Sequence, residues 1–82
     1  MDTRVALISI IVEKQTSVDE LNRLLHDYRD FIICRMGLPY RERNVNIISI
    51  MLDAPADKIN TLAGKLGRLD GVTAKAVYAG MK

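Results

Sequence analysis

The run Arg4–Glu13, RVALISIIVE, together with Val45–Leu52, VNIISIML, decides the fold. Both are rich in Val, Ile and Leu, carry few helix-favouring charges and end at polar residues, so both read as β-strands. Each is apolar on both of its alternations. Ala6, Ile8, Ile10 and Val12 oppose Val5, Leu7 and Ile11 in the first run, and Ile48, Ile50 and Leu52 oppose Val45, Ile47 and Met51 in the second. These two runs are therefore the candidates for the centre of a sheet.

Helical spacing fills the intervals. Ser17 followed by Glu20 has the spacing of a capping box, and Val18, Leu21, Leu24, Leu25 and Tyr28 then recur on one face. The spacing predicts a helix from Ser17 to about Asp30. Phe31–Arg35 is a short β-branched and apolar run, read as a second strand. The segment Arg35–Arg43, RMGLPYRER, reads as a polar connection to the strand at Val45, with Gly37 and Pro39 as turn formers. Pro55 suits the first turn of a second helix, Asp57 complements its dipole, and Ile59, Leu62, Ala63 and Leu66 share a face before Gly67. After the turn at Asp70-Gly71, Val72–Ala79 alternates as a last strand.

The order βαββαβ predicts an α+β fold, a ferredoxin-like sandwich with a four-stranded antiparallel sheet and its first and third strands at the centre. Right-handed crossovers put both helices on one face. The other face then exposes an apolar surface of a size that soluble monomers seldom carry. A homo-oligomer that covers it is the expected state. Ser9 and Ser49 interrupt the alternations that begin at Val5 and Val45, and those alternations are assigned to the subunit interface.

Composition narrows the function classes. At 82 residues the chain supports one domain over 1–82, with no linker, repeat or low-complexity segment. With 49% hydrophobic residues it is not a disordered tail. A formal charge of +2 is too small to argue for nucleic acid unless the basic residues cluster. Cys34 is the sole cysteine, which excludes an internal disulfide and fits a reducing cytosol. No apolar run approaches the roughly 20 residues of a membrane span, and no secretory leader is seen. A cytoplasmic protein without membrane contact is expected.

Arg35, Arg41 and Arg43, with Tyr40, are the candidate binding residues. Guanidiniums hold carboxylates or phosphates through paired N–H donors, and a phenol adds a hydroxyl and a stacking face. The plainer reading is a solvated loop in which Glu42 offsets its neighbours. One aromatic residue among them is a poor platform for stacked RNA bases. His26 and Cys34 could ligate a metal across a subunit contact, although a surface histidine and a small buried thiol are the ordinary reading. Gly64 falls away from the core face of its helix, where it either permits close approach of another subunit or is simply tolerated. Glu20, Asp27 and Asp30 lack an accompanying acid-base pair, nucleophile or phosphate-cradling glycine loop, so no enzyme activity and no cofactor are expected.

The run RMGLPYRERNVNIISIMLD at 35–53, followed by LAGKLGRLDGVTAKAVY at 62–78, resembles the small family of iron-only hydrogenase system regulators. The similarity covers nearly the whole chain. It implies a ferredoxin-like fold akin to ACT domains and to the ligand-sensing half of the nickel-responsive regulator, in which subunits associate and effectors bind near their contacts. The chain departs from the nickel-responsive pattern: it offers only His26 and Cys34 in place of a histidine-rich ligand set, and it lacks a ribbon-helix-helix segment. Direct DNA binding is therefore not expected. Together these readings describe an ACT-like regulatory module that binds a small anionic metabolite through Arg35, Tyr40 and Arg41, with Arg43 beside them, near a subunit boundary. The alternatives are an assembly or chaperone-like protein that contacts a hydrogenase-system partner, and a metal-binding protein using His26 and Cys34.

Overall fold

The computed structural model describes residues 2–80. Strands β1 (Arg4–Val12), β2 (Ile32–Tyr40), β3 (Val45–Ala54) and β4 (Val72–Tyr78) form one sheet in the order β2-β3-β1-β4. Every neighbouring pair is antiparallel. Helices α1 (Val18–Asp27) and α2 (Ala56–Gly67) connect β1 to β2 and β3 to β4. The expected ferredoxin-like architecture is present, with β1 and β3 at the centre.

The register explains the two faces. Ile8 pairs with Ile50 and Ile10 with Ile48, and all four lie in the core with Leu21 and Leu25 of α1 and Ile59, Leu62 and Leu66 of α2. Burying each such side chain contributes about 1.5–3 kcal/mol. Ser9 pairs with Ser49, and Leu7 with Met51, on the opposite face. There Val5, Ile11, Met36, Leu38, Ile47 and Val77 are exposed. The alternations beginning at Val5 and Val45 thus define the open face, as expected.

Three local expectations are corrected. Strand β2 does not end at Arg35 but continues through Met36, Gly37, Leu38 and Pro39 to Tyr40, each opposite a residue of β3. The connection shrinks to Arg41–Asn44, closed by the Asn44 N–H donating to the Arg41 carbonyl at 3.2 Å. Asn44 adopts φ 56°, a left-handed conformation that asparagine tolerates better than most residues. Pro39 and Gly37 are admitted because β2 is an edge strand, with no ladder partner on one side. A register shift between Ile32 and Cys34 also breaks the alternation of this strand: Ile32 pairs with Leu52 of the core face, whereas Cys34 pairs with Met51 of the open face. The long hairpin stretches the molecule to 41 × 20 × 17 Å.

The second correction concerns Ser17. Its side chain makes no capping bond at the start of α1, which is preceded by a tight 3₁₀ turn over Gln15–Ser17. Instead the hydroxyl donates to the Asp70 carbonyl at 2.6 Å. Beside it the Glu13 N–H donates to the Gly71 carbonyl at 2.7 Å, and Lys14 Nζ lies 3.1 Å from Asp70 Oδ2. The β1–α1 and α2–β4 turns are therefore stitched together. Gly71 has φ 71°, and a Cβ there would lie 2.8 Å from Lys14 Cβ. Helix α1 also ends at Asp27, short of Asp30, with a further 3₁₀ turn over Arg29–Phe31 leading into β2. At the other sheet edge, Tyr78 donates its hydroxyl to Asn60 Oδ1, while the Arg4 guanidinium stacks 4.5 Å from the Tyr78 ring centre.

Candidate functional site

A groove runs along the helix-bearing side of the β2–β3 hairpin, between its exposed end and the start of α1. Strand alternation creates it. Arg35, Gly37 and Pro39 fall on the helix-bearing face opposite Ile50, Ile48 and Asn46, while Met36, Leu38 and Tyr40 fall on the open face. Gly37 and Pro39 are small, so the floor stays low where another pair of residues would fill it. Gln15, from the turn before α1, faces them across the groove, and Asn46 Nδ2 donates to Gln15 Oε1 at 3.4 Å.

At the hairpin tip the groove opens into a polar depression of about 230 Å³ bordered by Gln15, Tyr40, Arg41, Asn44 and Asn46. Three amide side chains and one guanidinium supply neutral and charged donors there. Arg41 and Arg43 are exposed in the turn and, among the described residues, make no ion pair; the ion pairs are Lys14–Asp70 and Arg23–Glu20. Glu42, between them in the sequence, forms no ion pair with either. Isolated guanidiniums beside amide donors favour an anion over a neutral guest.

The four expected binding residues are not gathered at one point. Arg41 borders the tip depression, and Arg43 shares its turn without lining it. Tyr40 borders the depression from the strand end, where alternation assigns its ring to the open face. Arg35 lies at the inner end of the groove, where its NH2 donates to Asn22 Oδ1 at 2.8 Å. Arg41 lies six positions beyond Arg35, roughly 20 Å along an extended strand. One small anion cannot reach both within a single chain. Gln15, Asn44 and Asn46 were absent from the expected set; an asparagine just before a β-branched run was the available sign of a turn at Asn44.

His26 and Cys34 are also separated. His26 is exposed on α1, whereas Cys34 is exposed, not buried, on the open-face alternation of β2. The sheet lies between them, so one chain does not bring them together. Among the described residues there is no group of three or more His, Cys, Asp and Glu side chains placed to hold a metal. No helix among them is long and apolar enough to cross a membrane. Gly64 is exposed, with open space around the position of an added Cβ.

The sheet order, the two helices on one face and the grooved hairpin define an ACT-like α+β fold of the ferredoxin type. Solved structures agree: the ACT domain from the GTP pyrophosphokinase of Chlorobium tepidum superposes with a TM-score of 0.68 at 20% identity, over 99% of this chain and 92% of that one. A formyltetrahydrofolate deformylase from Pseudomonas putida KT2440 matches with a TM-score of 0.62 at 17% identity, over 99% of this chain but 30% of its own. Those identities speak for the fold alone. Much nearer is the uncharacterised protein TM1266 of Thermotoga maritima, with a TM-score of 0.92, 35% identity, and 96% of this chain and 100% of that one covered. The chain belongs to the TM1266-like family, described as "Iron-only hydrogenase system regulator, putative", whose model matches residues 4–76. No curated protein matches the chain.

Proposed function

We propose that this chain is a regulatory module of the iron-only hydrogenase system that acts as a homo-oligomer and binds a small anionic effector at the hairpin-tip groove. The family supplies the system. The observation that carries the binding reading is the depression beside Arg41 and the amides of Gln15, Asn44 and Asn46. In this reading Arg41 holds the anion, Arg43 adds charge from the same turn, Tyr40 borders the depression from the strand end, and Arg35 continues the cationic line inward. Regulation then follows from the effector's unequal affinity for two states of the assembly, since a ligand shifts an equilibrium only by its differential binding.

The oligomer rests on the open sheet face, where Val5, Ile11, Leu38, Ile47 and Val77 are between 43% and 59% exposed. A second copy of the chain is the natural cover, because the charged strand residues of this face are few: Lys75 lies on edge strand β4, where a long side chain reaches solvent past the rim, and Asp53 lies next to the end of β3. Tyr40 borders both this face and the groove, which supports effector binding next to the proposed subunit contact.

Thermal unfolding with a panel of di- and tricarboxylates and nucleotides tests the binding reading. An effector at about 100 times its Kd adds about 2.7 kcal/mol, a rise in Tm on the order of 10 °C for a chain of this size. R41Q/R43Q should keep the unliganded Tm and lose the rise. A rise of equal size in the double variant contradicts the assignment.

A further inference from the structure

The inner end of the groove leads to a second cationic hollow that shares only Arg35 with the hairpin-tip reading. Asn22, Leu25, His26 and Arg29 recur at helical spacing, i, i+3, i+4 and i+7, so they form one stripe along α1 and the turn after it. That stripe faces the start of edge strand β2 at Ile32 and Arg35. Together the six residues line an open surface hollow of about 350 Å³. Leu25 and Ile32 give it an apolar floor, and no carboxylate borders it.

Both guanidiniums are held in place by neutral acceptors. Arg35 NH2 donates to Asn22 Oδ1 at 2.8 Å, and Arg29 NH1 donates to the His26 carbonyl at 2.9 Å. Neither arginine forms an ion pair among the described residues. Each tether uses one of five N–H donors, leaving the others and the full charge available. Neutral tethers fix the direction of a guanidinium without cancelling its charge, which is the arrangement that suits a compact oxyanion with several acceptor oxygens. The His26 imidazole adds a further donor on the same rim.

We propose that this hollow is an anion site, separate from the hairpin tip, that takes a phosphate group between Arg29 and Arg35, with the carbon body of an organic phosphate resting on Leu25 and Ile32. The site does not depend on the hairpin-tip reading, because Arg41 lies roughly 20 Å of strand away from Arg35. A carboxylate has fewer oxygens to share between two forks and binds less tightly.

The test is an NMR titration of the full chain, labelled with ¹⁵N, with inorganic phosphate, phenyl phosphate and benzoate. Ionic strength is held constant with sodium chloride, so that general screening does not mimic binding. The Nε–Hε signals of Arg29 and Arg35 should move together and saturate with one midpoint under either phosphate. R29Q and R35Q should each weaken that midpoint about tenfold or more, the expected loss of a charged hydrogen bond. R29K should recover only part of it, because an ammonium lacks the fork, and R41Q/R43Q should leave it unchanged. A tighter midpoint for phenyl phosphate marks an organic phosphate as the ligand; equal midpoints mark free phosphate. Shifts that never saturate, a midpoint unchanged by R29Q, tighter binding of benzoate, or movement confined to Arg41 and Arg43 would overturn the proposal.

Discussion

Ile8 and Ile11 lie three residues apart on β1, yet Ile8 is 0% exposed beneath the helices and Ile11 is 45% exposed on the open face. Ile50 and Ile47 repeat the contrast on β3, at 0% and 43%. The strands supply nearly the same apolar chemistry to both sides, so hydrophobicity alone does not choose which side the helices cover. The right-handed crossovers bring α1 and α2 to one face, and the alternation interrupted by Ser9 and Ser49 is the one left outside. The excess on the other side is what a second layer would use. Four strands about 4.8 Å apart, each rising about 3.3 Å per residue, present a projected area on the order of 500 Å². That is comparable with the roughly 800 Å² per partner of a standard stable interface, once side-chain relief is included.

Truncation on the covered face should produce the largest effect. Ile50→Ala removes three carbons from the closed core and should lower stability by about 2–5 kcal/mol in urea unfolding. The matching change on the open face, Ile47→Ala, should cost under about 1 kcal/mol when unfolding is followed at a concentration low enough to hold the chain monomeric. Equal losses at the two positions would erase the distinction between the faces.

A smaller loss is expected where the two connections are stitched at one end of the sheet. Gly71→Ala combines a strained left-handed residue with a Cβ 2.8 Å from Lys14 Cβ and 3.1 Å from its backbone nitrogen. A loss of about 1–3 kcal/mol should follow. Differential scanning calorimetry checks it, and an unchanged Tm would show that Lys14 moves aside freely.

The smallest effect lies on the outer surface of the helices. Gly64→Ala places a methyl in open space on exposed helix, and should raise stability by about 0.5–1 kcal/mol. Loss of oligomer mass in this variant would instead reveal a subunit packed against α2, and would move the interface away from the open sheet face.

How legible the molecule was in its sequence differs between the same regions. The element order and the central position of β1 and β3 could be read directly, because long β-branched runs apolar on both alternations suit inner strands, and Ser9 and Ser49 alone marked the alternation left outside the core. The hairpin could not. Arg35, Gly37 and Pro39 carry loop chemistry, and only the edge position of β2 makes them acceptable in a strand, which is a property of the sheet and not of the segment. The register shift at Ile32 to Cys34 has no local signature, and it turned Cys34 toward the open face. The Ser17 hydroxyl was read as a helix cap from its spacing to Glu20, but its acceptor lies 53 positions along the chain. The candidate site suffered in the same way. Its arginines were visible, whereas the separation of Arg35 from Arg41 and the contribution of Gln15 depend on strand length and on which residues face one another.

The role of the open face is tested most directly by the mass of the protein in solution, measured by light scattering at micromolar concentration for the wild type and for Ile11→Glu. The wild type should have at least twice the mass of one chain, and the variant should fall to one chain with its circular dichroism unchanged, because an unpaired carboxylate is too costly to bury in a closed apolar interface. A wild type that is monomeric, or a variant that keeps the full assembly, would contradict the covering of this face by a second copy.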